Sequence, residues 1–448
     1  MTASATRSIP AWIDDAPLGA FQIRVLALCV LIALLDGFDT QAIAFTGPAI
    51  LASFALPSGA LPPILTAGIV GMTIGAMTLG LVGDRIGRRP AIMIGLALFG
   101  AATLATAWAS SPSQILVLRF IAGLGMGGCT PVLLALAAEY CPARLRGAVM
   151  TGVLLGLPAG AMLGGLLAAR MLPAIGWQGI FAVGGGVPLA MLGAVALLLP
   201  ESLCYLASRD DARARQRVRA TLSKIATQPL PADVRFTAPD EASAKASVGA
   251  LFRNGYARRT LGIWAIYLLN WIAWFMLLSW LPTVLKAAGL TAQQAPVGTV
   301  IVNAVFIVCA IPLSIVLPRV NVRNLLCAMF AFGIAVALAL GQAGTNWTLV
   351  FVLVGAAGFG IGGQQIALNY LIVGAYPTAL RATATGWAIG MGRAGAIAGS
   401  AIGGTFLAWG ASPGFFTALA VPLAGAALAA FGLRLGRTPG ADLAPANR

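Results

Sequence analysis

The sequence has 448 residues, of which 59% are hydrophobic and only 9% are charged, and its mean hydropathy is +0.91. These values lie far outside the range of soluble globular domains and predict a polytopic membrane protein. The formal net charge is +15. Its basic residues alternate with apolar spans instead of forming one stripe, so membrane topology explains them better than nucleic-acid binding.

Apolar runs bounded by charge, proline and glycine predict membrane-spanning helices. Twelve are expected, at residues 24–46, 62–82, 90–109, 114–137, 147–169, 177–199, 260–283, 295–317, 324–342, 347–371, 382–407 and 414–434. The predicted fold is an all-α membrane protein with twelve transmembrane helices in two six-helix halves, residues 1–200 and 260–448. The polar stretch 201–259 is predicted to be a cytoplasmic linker with one or two short surface helices.

Charges in the connecting loops predict the orientation of these helices. Arginines concentrate in the loops after even-numbered spans and in the C-terminal tail, whereas the opposite loops hold only Arg170 and Lys286. By the positive-inside rule, both termini are expected in the cytoplasm. Residues 1–19 lack the apolar core of a cleavable signal peptide, so the first helix is expected to direct insertion.

Two carboxylates interrupt the first span. Asp36 and Asp39 are the only charged side chains in residues 25–44. With a rise of about 1.5 Å per residue, Asp36 lies about 18 Å beyond Arg24, near the middle of a ~30 Å hydrocarbon core. The i,i+3 spacing places both acids on one face. An ionised carboxylate at that depth costs at least ~2.5–3.5 kcal/mol, so such residues normally face a bundle interior or a wet cavity and have a function there.

Two arginines also fall inside predicted spans. Arg119 lies about 9 Å below the outer end of the fourth span, at a depth similar to that of Asp39, so a pair between them is expected, either as a static ion pair or as a functional one. Arg393 lies roughly 16 Å into the eleventh span. It would either bind a substrate carboxylate bidentately or be satisfied by backbone carbonyls. The sequence leaves open which arginine would bind a carboxylate.

The second half carries polar and aromatic side chains within its spans, which suit a cavity for a flat carboxylated ring. The candidate substrate-binding residues besides Arg393 are Asn270, Trp271, Trp274, Asn303, Gln364, Gln365 and Asn369.

An internal repeat relates the two halves. Pro142 and Pro377 lie 235 residues apart, and each is followed by an arginine four residues later. The same offset carries the two acids of the first span onto Trp271 and Trp274. Because transporters are often built from such repeats, we expect a cavity between the halves with one acidic wall and one aromatic wall.

The loop between spans two and three, residues 80–89, reads GLVGDRIGRR. It resembles in full the G-x-x-x-D-R-x-G-R-R/K motif of the major facilitator superfamily; the alternative is a positive-inside loop with incidental glycines. Asp84 is expected to pair with arginines, to cap a neighbouring helix N-terminus and to belong to a cytoplasmic latch. Glu139 is expected to form salt bridges beside Arg144 and Arg146. The residues assigned to gating are Asp84, Arg85, Arg88, Arg89, Glu139, Arg144, Arg146 and Arg381.

Further motifs, at residues 35–40, 199–202 and 376–393, resemble the aromatic acid:proton symporter family, the importers of 4-hydroxybenzoate and benzoate. The resemblance implies proton-coupled uptake of a small aromatic carboxylate by a monomer in a bacterial inner membrane. Asp36 and Asp39 would couple protons, and the proton gradient would supply the energy without any cofactor. The sequence departs from the family in having no histidine, so proton transfer cannot use imidazole.

The sequence has two alternative interpretations. A proton-coupled exporter of drugs or metabolites from the same superfamily is the alternative transport function. A membrane enzyme is disfavoured, because no histidine, Cys/His metal spacing or serine nucleophile motif accompanies the intramembrane acids.

Overall fold

The computed structural model describes residues 6–209, 211–226, 235–237, 247–253 and 255–433, and most of this part of the chain is helical. The α-helices and β-strands in chain order are β1 (Thr6–Ser8), α1 (Ile9–Asp14), α2 (Ala20–Ser53), α3 (Leu61–Ile86), α4 (Arg88–Thr106), α5 (Pro112–Tyr140), α6 (Ala143–Leu198), α7 (Leu203–Ser208), α8 (Ala212–Leu222), β2 (Arg235–Thr237), α9 (Ala257–Ala287), α10 (Ala295–Val316), α11 (Val322–Gln342), α12 (Trp347–Ala357), α13 (Gln364–Ala375), α14 (Thr378–Ala418) and α15 (Ala420–Phe431). Short 3₁₀ turns occupy Ser58–Ala60, Val248–Phe252 and Leu317–Arg319.

Among the described residues, ten helical stretches are long and apolar enough to cross a membrane. Two of them, with 56 and 53 residues, are each long enough for two passes, because about 20 residues span the hydrocarbon core. The first is α6, which bends at Gly176, where φ is 66°. The second comprises α14 and α15, with non-helical backbone at Gly410 and Ala411. The predicted twelve-helix fold is confirmed, and the breaks before spans six and twelve are kinks instead of extended loops.

The tenth predicted span is not a uniform α-helix. Between α12 and α13 the chain forms a π-helical turn at Gly358–Gly362. Such turns occur frequently at functional sites. This turn immediately precedes Gln364, one of the candidate substrate-binding residues.

The chain folds into two compact units. The first comprises Met1–Ile50 and Ala67–Glu241, and the second comprises Leu51–Thr66 and Ala242–Arg448. The buried core of the first unit includes Cys29, Phe99 and Met126, contributed by α2, α4 and α5. In the second unit α9 packs along α14, and the Trp280 indole N–H donates to the Ser400 carbonyl at 2.8 Å.

The stretch between the sixth and seventh spans contains two short helices, α7 and α8, as the sequence predicted. One face of α8 is apolar, with Ala214, Val218 and Leu222 buried in the core of the first unit. A strand pair was not predicted: β2 runs parallel to β1, from the N-terminal segment. With only three residues in each strand, neither is long enough to show a strand pattern in the sequence.

Helices α2 and α6 approach each other closely at the acidic motif of the first unit. A Cβ atom on Gly37 would overlap the Leu157 carbonyl group, and one on Gly160 would overlap the carbonyl of Leu34. The two glycines therefore allow direct backbone contact between the helices, as small residues commonly do in membrane proteins. This contact explains why a glycine stands between Asp36 and Asp39.

Candidate functional site

Asp39 and Arg119 form a buried ion pair in the first unit. The Arg119 Nη1 atom lies 3.0 Å from Asp39 Oδ1 and 2.9 Å from Oδ2. The two residues are only 3% and 2% exposed, respectively. Because an isolated charge is costly at this depth, each side chain makes the other tolerable. The structure thus brings together the two residues that the sequence placed at similar depths.

The remaining surroundings of Arg119 also suit a fixed cation. Its Nη2 donates to Thr103 Oγ1 at 2.9 Å and to Thr106 Oγ1 at 3.3 Å, while the Thr103 hydroxyl donates to Asp39 at 2.9 Å. The guanidinium carbon lies 4.8 Å from the centre of the Phe181 ring. Both terminal nitrogens are therefore engaged, and bidentate binding of another carboxylate would require these bonds to break.

Asp36 has different neighbours. Its Oδ2 accepts a hydrogen bond from Thr130 Oγ1 on α5 at 2.7 Å, and its Oδ1 accepts a longer one from Thr40 Oγ1 at 3.3 Å. Asp36 is 3% exposed, and both threonines are half-buried. A hydroxyl can either donate or accept, whereas a guanidinium can only donate. These partners are therefore compatible with both the ionised and the protonated form of the carboxyl group.

A second polar cluster of the first unit lies where α4 begins and α5 ends. Glu139 forms a salt bridge with Arg88 and accepts the Ser202 hydroxyl proton at 2.7 Å. Glu201 accepts the backbone N–H groups of Arg88 and Arg89 at 2.8 and 3.1 Å. A carboxylate at this position satisfies free N–H groups and favours the positive end of the helix dipole. The sequence led us to expect Glu139 to form salt bridges beside Arg144 and Arg146. Its partner is instead Arg88, because α4 packs beside α5.

Asp84 is exposed and makes none of these contacts. It lies in the last turn of α3, which ends at Ile86, where free carbonyl groups do not favour an acid. Glu201 follows α6 and reaches the N-terminus of α4, so it forms the helix cap that the sequence assigned to Asp84. Nearby, Arg89 donates to the Ala196 carbonyl, and the Arg85 carbonyl accepts the Tyr205 hydroxyl at 3.4 Å.

Arg144 attaches the N-terminal helix α1 to the start of α6. Its guanidinium donates to the carbonyls of Asp14 and Ala16 at 3.0 and 2.9 Å. The Asp14 carboxylate in turn accepts the backbone N–H of Ala143 at 2.6 Å. Arg146, two residues further on, is exposed.

In the second unit, the loop that repeats residues 142–146 is also held by arginine side chains that donate to backbone carbonyls. Arg381 Nε donates to the Tyr376 carbonyl at 3.1 Å, Arg259 donates to the Ala375 carbonyl at 2.6 Å, and the Tyr376 hydroxyl lies 2.9 Å from Thr260 Oγ1. Burial raises the pKa of the Tyr376 phenol, and the Thr260 hydrogen bond and the Arg259 charge lower it in part. The phenol is therefore protonated at neutral pH.

Trp271 and Asn270 stand at the middle of α9. The Trp271 indole stacks on Phe275, with ring centroids 5.5 Å apart and 17° between planes. It also covers Gly392 of α14, where a Cβ would lie 2.8 Å from the indole ring. Asn270 Oδ1 and Trp271 Nε1 are buried and have no hydrogen-bond partner among the described residues. A buried polar atom without a partner is costly and suggests a ligand or water.

Trp274 lies next to the π-helical turn. Its ring is 5.9 Å from that of Phe306, and a Cβ on Gly362 would approach it to 2.6 Å. Gln364, just after the turn, donates to the Gly360 carbonyl, while its Oε1 is buried without a hydrogen-bond partner in the described part of the chain. Trp274 and Gln364 therefore both border the irregular part of the tenth span.

The other polar candidates of the second unit have varied roles. Asn303 is buried and donates to the Thr299 carbonyl at 2.8 Å, so its amide nitrogen is hydrogen-bonded within its own helix. Asn369 is exposed and accepts the Tyr267 hydroxyl proton at 2.8 Å and the Gln365 amide at 3.4 Å. Arg393 is half-buried on α14.

Sequence reasoning did not assign roles to several residues of these clusters. Thr103, Thr106 and Thr130 are uncharged, and a threonine inside an apolar helix gives no signal of its own, because it usually bonds to the carbonyl four residues earlier. Glu201 belongs to the motif at residues 199–202. A carboxylate directly after the end of a span was the available signal that it caps a helix or forms an ion pair.

Comparison with known proteins places these features in a family. The sequence profile of the Major Facilitator Superfamily matches residues 29–326. The chain belongs to this superfamily. Its members are transporters, so the protein is a multi-pass membrane transporter and not an enzyme.

Curated relatives of this superfamily member cover nearly its whole length. It is 38% identical over 420 residues to the gallate transporter of Pseudomonas putida, and the aligned region covers 93% of each chain. It is 34% identical over 428 residues to the 4-hydroxybenzoate transporter PcaK of the same species, covering 95% of this chain and 94% of that one. The resemblance to aromatic acid transporters is thereby confirmed.

Solved structures agree on the fold of this superfamily member. A D-xylose-proton symporter superposes with a TM-score of 0.69 over 92% of this chain and 97% of that one, at 19% sequence identity. At that identity the similarity concerns the fold alone.

Proposed function

We propose that this protein imports a small aromatic carboxylate by proton symport, through alternating access, across a bacterial inner membrane. The relatives named for gallate and 4-hydroxybenzoate support this substrate class, and those two acids are the first to test. Both termini lie in the cytoplasm, and the protein acts as a monomer. The distribution of arginines supports this orientation.

The two acids of α2 differ in their hydrogen-bond partners, and this difference is the main support for the proposal. Arg119 donates to both carboxylate oxygens of Asp39, so this carboxylate already has a buried cationic partner. Asp36 is bonded by the hydroxyls of Thr40 and Thr130, which tolerate either protonation state. Asp36 is therefore the proton-binding residue, and Asp39 with Arg119 maintains the helix arrangement around it.

The second unit supplies the substrate-binding groups. A flat ring suits the indoles of Trp271 and Trp274, and the free polar atoms of Asn270 and Gln364 suit ring hydroxyls. Arg393 binds the carboxylate, because Arg119 already uses both terminal nitrogens within the first unit. Asn303, Gln365 and Asn369 make hydrogen bonds within the second unit and are the secondary candidates.

The cluster at the start of α4 acts in gating. Arg88, Glu139 and Glu201 connect α4, α5 and the chain after α6 by charged hydrogen bonds, which keep these elements together when the transporter changes conformation. Asp84, being exposed, is available for contacts that form in another conformation.

Uptake into proteoliposomes tests this function. Wild-type protein should accumulate radiolabelled 4-hydroxybenzoate or gallate when the outside is more acidic than the lumen, and a protonophore should abolish the accumulation. Asp36→Asn should lose accumulation but retain exchange of labelled for unlabelled substrate, because an amide cannot bind and release a proton.

The matched control is Asp211→Asn, an acid-to-amide change at an exposed helix cap of the first unit, where asparagine also caps well. It should accumulate substrate normally. Accumulation driven in the opposite direction would instead support a proton-coupled exporter, and normal accumulation by Asp36→Asn would remove this carboxylate from the coupling mechanism.

A further inference from the structure

Asp36 accepts a short hydrogen bond from another helix. Thr130 Oγ1 on α5 lies 2.7 Å from Asp36 Oδ2 on α2, a distance typical of a well-formed O–H···O hydrogen bond. The bond from Thr40 is longer, 3.3 Å, and Thr40 Oγ1 also lies 3.9 Å from Met72 Sδ. Of these two threonines, Thr130 is therefore the stronger donor to this carboxylate.

Several ionisable and neutral groups lie near Asp36. On its own helix the nearest ionisable group is Asp39, whose charge Arg119 of α5 compensates. The Cys129 thiol of α5 is within electrostatic range of Asp36. On α3, Met72 contacts Thr40, and on α6 the Leu157 carbonyl lies against Gly37; neither group titrates.

We infer that Thr130 is a positioning residue that sets the pH range in which this transporter couples protons to substrate. This inference rests on the proposed function of Asp36. While Asp36 is ionised, the Thr130 hydroxyl donates to it and stabilises the charge. When a proton binds, the carboxyl group becomes a donor itself, and the hydroxyl can accept that proton or turn to the carbonyl four residues earlier, as threonines in helices often do.

The sign of the effect follows from this arrangement. A donor that stabilises the ionised carboxylate lowers its proton affinity. Removing the hydroxyl at nearly constant side-chain volume, as in Thr130→Val, should let Asp36 keep its proton to higher pH. The midpoint of pH-dependent substrate binding should then move up by about one pH unit, a tenfold change in proton affinity that corresponds to about 1.4 kcal/mol.

The test is binding of radiolabelled 4-hydroxybenzoate and gallate to purified protein across a pH series. Anion binding by wild type should strengthen as pH falls. Thr130→Val should shift the midpoint upward, and Thr130→Ser, which keeps the hydroxyl, should restore it. If the valine variant fails to fold, Thr130→Ala should give the same upward shift. Thr46→Val is the matched control, because Thr46 is buried on α2 but bonds its own helix at Ala42; its midpoint should equal that of wild type.

Asp36→Asn separates this inference from the function on which it rests. If this variant binds substrate without pH dependence while Thr130→Val keeps the wild-type midpoint, the role of Thr130 is overturned and the proton site stands. If Asp36→Asn keeps the wild-type pH dependence, or if neither acid binds saturably to wild type, the proposed function and this inference both fail. A shift that Thr130→Ser does not reverse would mean that packing, and not the hydroxyl, is responsible.

Discussion

The Arg119 guanidinium donates to both carboxylate oxygens of Asp39 through a single nitrogen, Nη1, at 3.0 and 2.9 Å. This leaves Nη2 for Thr103 and Thr106, so one cation joins α2, α4 and α5. The pair occupies the Asp39 carboxylate, whereas Asp36, one turn earlier, accepts hydrogen bonds from Thr40 and Thr130. Each acid of the motif thus has its own set of partners.

Breaking this pair on one side should destabilise the protein more than removing Asp36. Asp39→Asn leaves a buried guanidinium without its counter-charge, which typically costs about 3–5 kcal/mol. We expect a clearly lower melting temperature in detergent for Asp39→Asn and a near-wild-type value for Asp36→Asn, although both lose gradient-driven accumulation.

A double-mutant cycle provides the control. Asp39→Asn combined with Arg119→Gln removes both charges and should recover part of the lost stability, because residues in contact are energetically coupled. Additive losses in the double variant would mean that the two charges do not stabilise each other.

Arg393 should determine affinity for the carboxylate. Arg393→Lys keeps the charge but loses the planar fork, so affinity for 4-hydroxybenzoate should fall, and Arg393→Ala should bind more weakly still. Binding measured at two pH values checks this, since the alanine variant should bind poorly at both. Undiminished binding by Arg393→Ala would place the carboxylate on another cation.

Changes at Glu201 and at Asp84 should affect stability and transport differently. Glu201→Ala leaves the Arg88 and Arg89 backbone N–H groups without their acceptor, and loss of such a cap typically costs about 0.5–2 kcal/mol. The exposed Asp84→Asn should leave the melting temperature unchanged but slow transport, with little effect on substrate affinity. Thermal unfolding and initial uptake rates distinguish the two; a large loss of affinity in Asp84→Asn would contradict a gating role.

Gly37 should tolerate no side chain. Gly37→Ala places a methyl group against the Leu157 carbonyl, and overpacking of this kind costs about 1–3 kcal/mol or more. We expect a reduced yield of folded protein and loss of transport. Gly152→Ala is the matched control on α6, since a Cβ there has no neighbour within 4 Å, and it should behave as wild type. Equal behaviour of the two variants would show that close helix contact is not required at Gly37.

The number of membrane passes and the location of the charged residues were predictable from the sequence. Long apolar runs can only be buried in lipid or in a helix bundle, and the four intramembrane charges Asp36, Asp39, Arg119 and Arg393 stand out against them because charges are rare there. Depth along a helix follows from residue number, so Asp39 and Arg119 could be matched before any contact was known.

The tertiary structure decided which polar groups meet, because contacts between helices depend on the rotation and crossing of each helix, which the sequence does not state. It assigned Thr130 to Asp36 and Thr103 to the ion pair, although threonine has no distinctive pattern in an apolar span. It also gave the α4 cap to Glu201 in place of Asp84, since these acids lie 117 residues apart in the chain and only the path of the chain after α6 brings Glu201 to the free N–H groups of that helix. The sequence determined where charge is buried, and packing determined what each charge binds.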